Sequence, residues 1–345
     1  MPSNSQATLL PTHSIELLKS AVSAAAEALR AGQVVALPTE TVYGLAANAL
    51  HAQAVTTIFE VKQRPAMNPL IVHVDGIKMA QDCVSSWPRE AEELAASFWP
   101  GPLTLVLPAA KVIPREVTAG GTTVGVRWPS HPFIQLVIQA CGFPLAAPSA
   151  NISTELSPTR AAHVLERLGD RIPLIVDGGS CQVGIESTVV DLSVSPPQIL
   201  RPGMISRASL ATVIQGLETV KLSDKDGKPM RSPGAMIRHY SPKTKLMIAS
   251  WTTDTELKNR LHQAGITPRQ AHVIAYSCIP TAVGEFGEIS VIPRDAEAFA
   301  RALYAELHRC DAMESEWIVV EKVPDDPEWK AIADRLERGS VISDF

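Results

Sequence analysis

The apolar positions of this chain come in short blocks. Most blocks close on Pro, Gly, Ser or Asn, and helical stretches alternate with strand-like ones. After Ser14, the stretch IELLKSAVSAAAEALRA reads as a helix that stops at Gly32. VVALP then reads as a buried strand. AQAVTTIFEVK reads as a second helix, with Val55, Ile58, Phe59 and Lys62 towards one side. Seven further runs have strand character: PLIVHV (69–74), PLTLVLPA (102–109), TTVGVRW (122–128), PLAAPSA (144–150), PLIVDGG (173–179), STVVDLS (187–193) and QILRPG (198–203). Helical stretches intervene at 89–98, 131–141 and 158–169, the last with Ser157 as its N-cap and Pro158 as its first residue. This alternation predicts an α/β or α+β domain with a mixed sheet.

The pattern lapses after about residue 216. ETVKLSDKDGKPMRSPGAMIRHYSPK has no apolar period, and three prolines interrupt it. We read residues 1–216 as one domain, 217–243 as a linker and 244–345 as a second domain. In the second domain, strands KLMIAS, AHVIAYS and WIVVEKV alternate with helices TDTELKNRLHQAG, AEAFARALYAELHRC and PEWKAIADRLE. That order predicts a small doubly wound parallel sheet. It contains neither G-x-G-x-x-G nor a P-loop, so no nucleotide site of its own is expected.

Composition narrows the picture. With 345 residues, 46% of them hydrophobic, the chain can bury the cores of two domains. The net charge of −5 excludes the strongly basic field of a bulk nucleic-acid binder, although a local basic cleft remains open. The five cysteines, Cys83, Cys141, Cys181, Cys278 and Cys310, include no C-x-x-C pair, and no neighbouring His completes a zinc pattern. They read as reduced thiols, mostly core fillers, and no metal ligands are assigned. The first residues lack a basic n-region and place Glu16 inside the apolar stretch, unlike a secretory signal. No run is long enough to cross a membrane, so the expected address is the cytoplasm.

The candidate chemistry lies in six groups. PTETVYGLAAN delivers Thr39, Glu40, Thr41 and Tyr43 to the end of a strand. KQRPAMNPLIVHV places Lys62, Arg64 and Asn68 at a helix end, where the cations could bind phosphate or only complement the helix dipole. His73, at the end of the next strand, is either a core imidazole or part of the same cleft. Arg127 sits inside an apolar strand and needs either an internal salt bridge or a carboxylate ligand. Ser149, Asn151, Ser153 and Ser157 join a strand end to a helix start, a place suited to phosphate or base contacts. Gly178, Gly179 and Gly184 permit close backbone approach before Ser187 and Thr188, and Arg201 follows. Arg238, His239 and Tyr240 stand out in the linker. Several cations and many hydroxyls suit a phosphate-bearing anion, and a reaction driven by positioning and charge neutralisation.

In order, PTETVYGLAAN, KQRPAMNPLIVHV, FWPGPLTLVL, VGVRWPSHP, PLAAPSAN, GIESTVVDL and LRPG resemble the threonylcarbamoyl-adenylate synthases, the family of the YrdC-like domain. SPGAMIRHYSPK and the small C-terminal domain resemble the two-domain form. The resemblance implies a twisted mixed sheet with a cationic concave cleft, plus a smaller Rossmann-like C-terminal domain. It implies that L-threonine, bicarbonate and ATP, with Mg²⁺, give threonylcarbamoyl-adenylate and pyrophosphate. The product would pass to a separate transferase that modifies tRNA next to the anticodon, without stable nucleic-acid binding by this chain. Thr39, His73, Arg127, Ala147 and Ser187 resemble the threonine-binding set. Lys62, Arg64, Asn68, Thr123, Ser149, Asn151, Ser157, Arg201 and Tyr240 resemble the ATP-binding set, with Lys62 and Arg64 catalytic. The linker would fold over the cleft to exclude water. A rival reading is an RNA-binding or ribosome-maturation module using the same cleft.

Overall fold

The computed structural model describes residues 6–219, 240–282, 284–313 and 315–343. Arg238, His239 and most of the expected linker lie outside the described residues. The chain divides into two units: residues 1–153 with 157–237, and residues 154–156 with 238–345.

In the first unit the strands are β1 (Thr8–Pro11), β2 (Val35–Leu37), β3 (Gly44–Asn48), β4 (Ile71–His73), β5 (Leu103–Pro108), β6 (Thr123–Arg127), β7 (Leu145–Ala146), β8 (Leu174–Asp177), β9 (Thr188–Asp191), β10 (Gln198–Arg201) and β11 (Glu218–Thr219). The helices are α1 (Ile15–Arg30), α2 (Ala52–Lys62), α3 (Ile77–Asp82), α4 (Arg89–Phe98), α5 (Pro132–Cys141), α6 (Ala161–Leu168) and α7 (Arg207–Ala211). The strands form one mixed sheet in the order β1-β8-β2-β3-β7-β4-β6-β5-β9-β10-β11. The expected α/β class with a mixed sheet is present.

Alternate residues of β2 and β3 enter two different cores. Ala36, Leu45 and Ala47 face a cluster that also contains Val72, Leu105 and Val126. Val35, Leu37 and Ala46 face a second cluster built with Ala21, Ala25 and Leu29 of α1 and Phe133, Ile134 and Val137 of α5. A sheet buried on both faces needs apolar residues at every position, which is why the strands read as short continuous runs. On α1 Ser14 is the N-cap, its hydroxyl accepting from the Leu17 N–H. The expectation for α6 is corrected. Its N-cap is Arg160, not Ser157, and the Pro158 carbonyl is taken by the Tyr43 N–H at 2.8 Å. A strand at Glu218–Thr219 pairs in parallel with Gln198–Ile199, just where the linker was expected to begin.

In the second unit, β12 (Lys245–Ala249), β13 (Ala271–Ala275), β14 (Glu288–Val291), β15 (Trp317–Glu321) and β16 (Ile342–Ser343) are joined by α8 (Asp254–Gln263), α9 (Ala296–Ala312) and α10 (Lys330–Gly339). The sheet order is β14-β13-β15-β12-β16, and every pairing is parallel, as the strand–helix alternation predicts. Among the described residues no helix is long and apolar enough to cross a membrane.

Candidate active site

The PTETVY loop joins β2 to β3, and Leu37 lies opposite Gly44 across the hairpin. The Thr39 hydroxyl donates to the Val42 carbonyl at 2.7 Å. That commits its only proton, so in the 2.9 Å contact between the Thr39 and Thr41 hydroxyls Thr41 is the donor. Arg127 Nη1 donates in turn to Thr41 Oγ1 at 3.0 Å. A one-way chain therefore runs from the guanidinium through two hydroxyls to a backbone carbonyl. Thr39 is locked by this chain, and a ligand meeting it finds an oriented oxygen rather than a free rotor.

Arg127 ends β6, beside His73 on the parallel strand β4. Its Nε donates to the Gly101 carbonyl at 3.2 Å, and its Nη2 pairs with Glu40 Oε1 at 2.6 Å. Of the two alternatives open in the sequence, the internal salt bridge is formed, and Glu40 is its partner. Burial pushes the Glu40 carboxyl up. The charge and N–H of Arg127, with the Ser130 backbone N–H, outweigh that and hold it below the ordinary carboxylate range. For His73, burial first and the Arg127 charge second drive the imidazole down to about 3, so it is neutral at pH 7. Its buried Nδ1 has no hydrogen-bond partner.

Lys62 is the last residue of α2, and Gln63 follows in a left-handed conformation, two residues ahead of Pro65. The Lys62 ammonium donates to the Ser149 and Asn151 carbonyls, each at 2.5 Å. The Ser153 N–H donates back to the Lys62 carbonyl at 2.8 Å. The helix end and the PSAN loop are thus one knot around a buried cation. Arg64 closes the next turn through the Asn68 and Pro69 carbonyls. The Asn68 side chain is fully buried, and neither its amide oxygen nor its nitrogen has a hydrogen-bond partner.

A third cluster lies at the start of β9. Arg201 donates to the Ser187 carbonyl and hydroxyl, both at 3.0 Å. Thr104 of β5 holds the same hydroxyl at 2.8 Å. Gly203 packs against this strand so closely that a Cβ there would lie 2.3 Å from the Thr188 nitrogen, so no side chain is possible. The Ser157 hydroxyl, expected to cap a helix, instead donates to Glu186 Oε1 at 2.5 Å. Thr123 opens β6 opposite Pro108, and the Ala147 N–H donates to the Ile71 carbonyl. Tyr240 belongs to the second unit, where its ring lies 5.2 Å from the Arg335 guanidinium carbon and 6.0 Å from the Tyr304 ring.

Sequence reasoning did not assign Glu40, Thr41, Thr104 or Glu186. Thr104 had one signal, a lone hydroxyl inside the apolar run PLTLVLPA. Glu40 and Glu186 had another, an acid among cationic motifs.

A family model described as telomere recombination, named for the Sua5, YciO and YrdC proteins, matches residues 27–203. A second, described as the threonylcarbamoyl-AMP synthase C-terminal domain, matches 205–340. The threonylcarbamoyl-AMP synthase of Pyrococcus abyssi is 38% identical over 92% of this chain and 93% of its own length. That of Bacillus subtilis is also 38% identical, over 92% of both chains. The chain belongs to the threonylcarbamoyl-AMP synthase family. A crystal structure of this synthase fold, P. abyssi Sua5 complexed with L-threonine, superposes with a TM-score of 0.88 at 36% identity, covering 98% of this chain and 100% of the other. The synthase likeness thus extends through both units.

Proposed function

We propose that this chain joins L-threonine, bicarbonate and ATP into L-threonylcarbamoyl-adenylate, releasing pyrophosphate, for a separate transferase that acts on tRNA next to the anticodon. One observation carries the reading: two preorganised cations of different type, the Arg127 fork and the Lys62 ammonium, each fixed in the first unit by its own hydrogen bonds. Family membership and the likeness to a threonine-bound relative support it.

Arg127 donates through Nε to Gly101 and through Nη1 to Thr41, and its Nη2, ion-paired with Glu40, has no hydrogen-bond partner, which leaves N–H groups of the fork for the threonine carboxylate. Thr39, Ser187, neutral His73 and the Ala147 backbone orient the rest of the amino acid. The threonine amine and bicarbonate condense to a carbamate with loss of water. A carbamate oxygen attacks the α-phosphorus, the bond to the β-phosphate bridging oxygen breaks, and pyrophosphate leaves. Lys62 and Arg64 neutralise the triphosphate. Asn68, Thr123, Ser149, Asn151, Ser157 and Arg201 bind the rest of the nucleotide.

The buried carboxylates Glu40 and Glu186 are engaged by Arg127 and Ser157. Such a donor set fits a Mg²⁺ that rides on the phosphates held by Lys62 and Arg64. When bound, the ion supplies further charge neutralisation on the triphosphate.

The test is direct. The protein is incubated with ATP, Mg²⁺, bicarbonate and each amino acid in turn, and pyrophosphate is measured. Release that requires threonine and bicarbonate together is expected, and threonine-independent turnover would overturn the reading.

A further inference from the structure

In the second unit, three side chains aim donor atoms at one point. His272 lies on β13, and Glu306 and Cys310 lie one turn apart on α9. Their donor atoms all fall within 4.8 Å of one another. Glu306 Oε1 is 3.6 Å from His272 Nε2 and 4.0 Å from Cys310 Sγ. Zinc bond lengths at tetrahedral angles require donor spacings of about 3.3–3.7 Å. Small side-chain movements would therefore complete the set.

Two more groups crowd the same point. Ser290 of β14 places its Oγ 2.6 Å from His272 Nε2 and donates to Glu306 Oε1. Arg309 Nη2 reaches Ser290 Oγ at 2.5 Å, Glu306 Oε1 at 2.8 Å and His272 Nε2 at 3.1 Å. A guanidinium only donates, and a serine has a single hydroxyl proton. With Glu306 ionised, as its ion pair with Arg309 requires, that proton goes to Glu306. If His272 Nε2 then accepts from Arg309, it faces the Ser290 oxygen lone pair to lone pair at 2.6 Å. If Nε2–H donates to Ser290 instead, the two Nη2 hydrogens serve Ser290 and Glu306, and the 3.1 Å approach of Arg309 to His272 carries no hydrogen bond. A cation, the Arg309 guanidinium, thus already sits where the three donors converge, and a bare metal ion in its place would take the Nε2 lone pair and the carboxylate together.

We propose that His272, Glu306 and Cys310 form a binding site for a zinc-class divalent cation, at which the Arg309 guanidinium stands in for the ion. The mixed nitrogen, oxygen and sulfur donors select a borderline-soft metal over magnesium. Glu288 Oε2 lies 4.0 Å from His272 Nδ1, beyond hydrogen-bond reach, while its Oε1 accepts from Arg309 Nη1 at 2.9 Å; departure of Arg309 would free this carboxylate to back the imidazole. Arg309 can leave because its side chain is 41% exposed. Metal arrival breaks the Cys310 S–H bond, forms a metal–thiolate bond and sends the proton to solvent. The ion would tie α9 to β13.

The test uses the full chain, freed of metal by a chelator and kept free of ATP, titrated with Co²⁺ and then Zn²⁺. One Co²⁺ per chain is expected, with a thiolate-to-cobalt charge-transfer absorption that Zn²⁺ displaces. Cys310→Ser removes that absorption, and His272→Ala weakens binding. Arg309→Gln removes the competing cation from the exposed side and tightens Co²⁺ binding by about tenfold. An absorption that survives Cys310→Ser, or its absence from both the wild type and Arg309→Gln, overturns the proposal. Should the core variants fail to fold, Arg309→Gln decides alone: unchanged affinity overturns the proposal, and tighter binding supports it.

Discussion

Arg127 and Glu40 meet at 2.6 Å, with both side chains no more than 5% exposed. The pair joins the end of β6 to the loop after β2, and the same loop is sewn to residues 183–184 by the Val183 N–H to Glu40 carbonyl and Gly184 N–H to Thr41 carbonyl bonds. A buried charge without its partner costs far more than an exposed one. Glu40→Ala is expected to destabilise the protein by about 3–5 kcal/mol in urea unfolding, and Glu40→Gln by less. A loss under about 1 kcal/mol, the range of exposed pairs, would show that water reaches this pair in solution.

The same geometry makes Arg127 irreplaceable by lysine. Lysine keeps the charge but loses the planar fork that serves Gly101, Thr41 and Glu40 together. For Arg127→Lys the threonine KM should rise at least about tenfold while the ATP KM moves little, since losing a charged hydrogen bond costs about 1.5–3 kcal/mol. An unchanged threonine KM would remove Arg127 from carboxylate binding.

Lys62 is held by two carbonyls before any substrate arrives. A preorganised charge of this kind acts on the transition state, so Lys62→Ala should lower kcat by about 10²–10³ at saturating substrates. Pyrophosphate release under saturation reads this out. A raised ATP KM with intact kcat would make Lys62 a binding residue only.

Thr104 acts through Ser187, whose hydroxyl it orients at 2.8 Å. Thr104→Val keeps the shape and removes one hydrogen bond worth about 1 kcal/mol, so the threonine KM should rise about fivefold with kcat preserved. If kcat falls instead and KM holds, Thr104 has a role in the chemical step.

His73 sets a pH dependence. Its folded-state pKa, about 3, lies below the ordinary 6.5, so below pH 6.5 the unfolded chain takes up a proton that the folded chain refuses. Stability is fully present above pH 6.5 and is lost as pH falls from there towards 3, by at most about 1.4 kcal/mol per pH unit. Urea midpoints for the wild type and His73→Asn between pH 4.5 and 7.5 check this. The wild type should lose more stability on acidification, and parallel profiles would show that the imidazole charges freely in the fold.

The parallel sheet of the second unit was legible in the order of KLMIAS, AHVIAYS and WIVVEKV between helices, because parallel strands need crossovers and crossovers leave a period in the chain. Gly32 marked the end of α1 for an equally local reason. Ser157 misled, because a serine before a proline looks like a cap. Its hydroxyl serves Glu186 instead, a partner 29 residues away that no local pattern reveals.

By itself, the sequence determined the alternation of elements, the positions of Lys62, Ser149 and Ser187 at strand or helix ends, Arg127 on an apolar strand, and the family. Only the tertiary structure decided that Glu40 neutralises Arg127, that Lys62 is caged by carbonyls 87 and 89 residues ahead, and that His272 meets Glu306 and Cys310 where no zinc spacing exists. The physical reason is the same in each case. Capping, turns and periodicity act over a few residues and are written along the chain. Charge pairing and donor convergence act over a few ångströms, and the sheet register chooses which distant residues come that close.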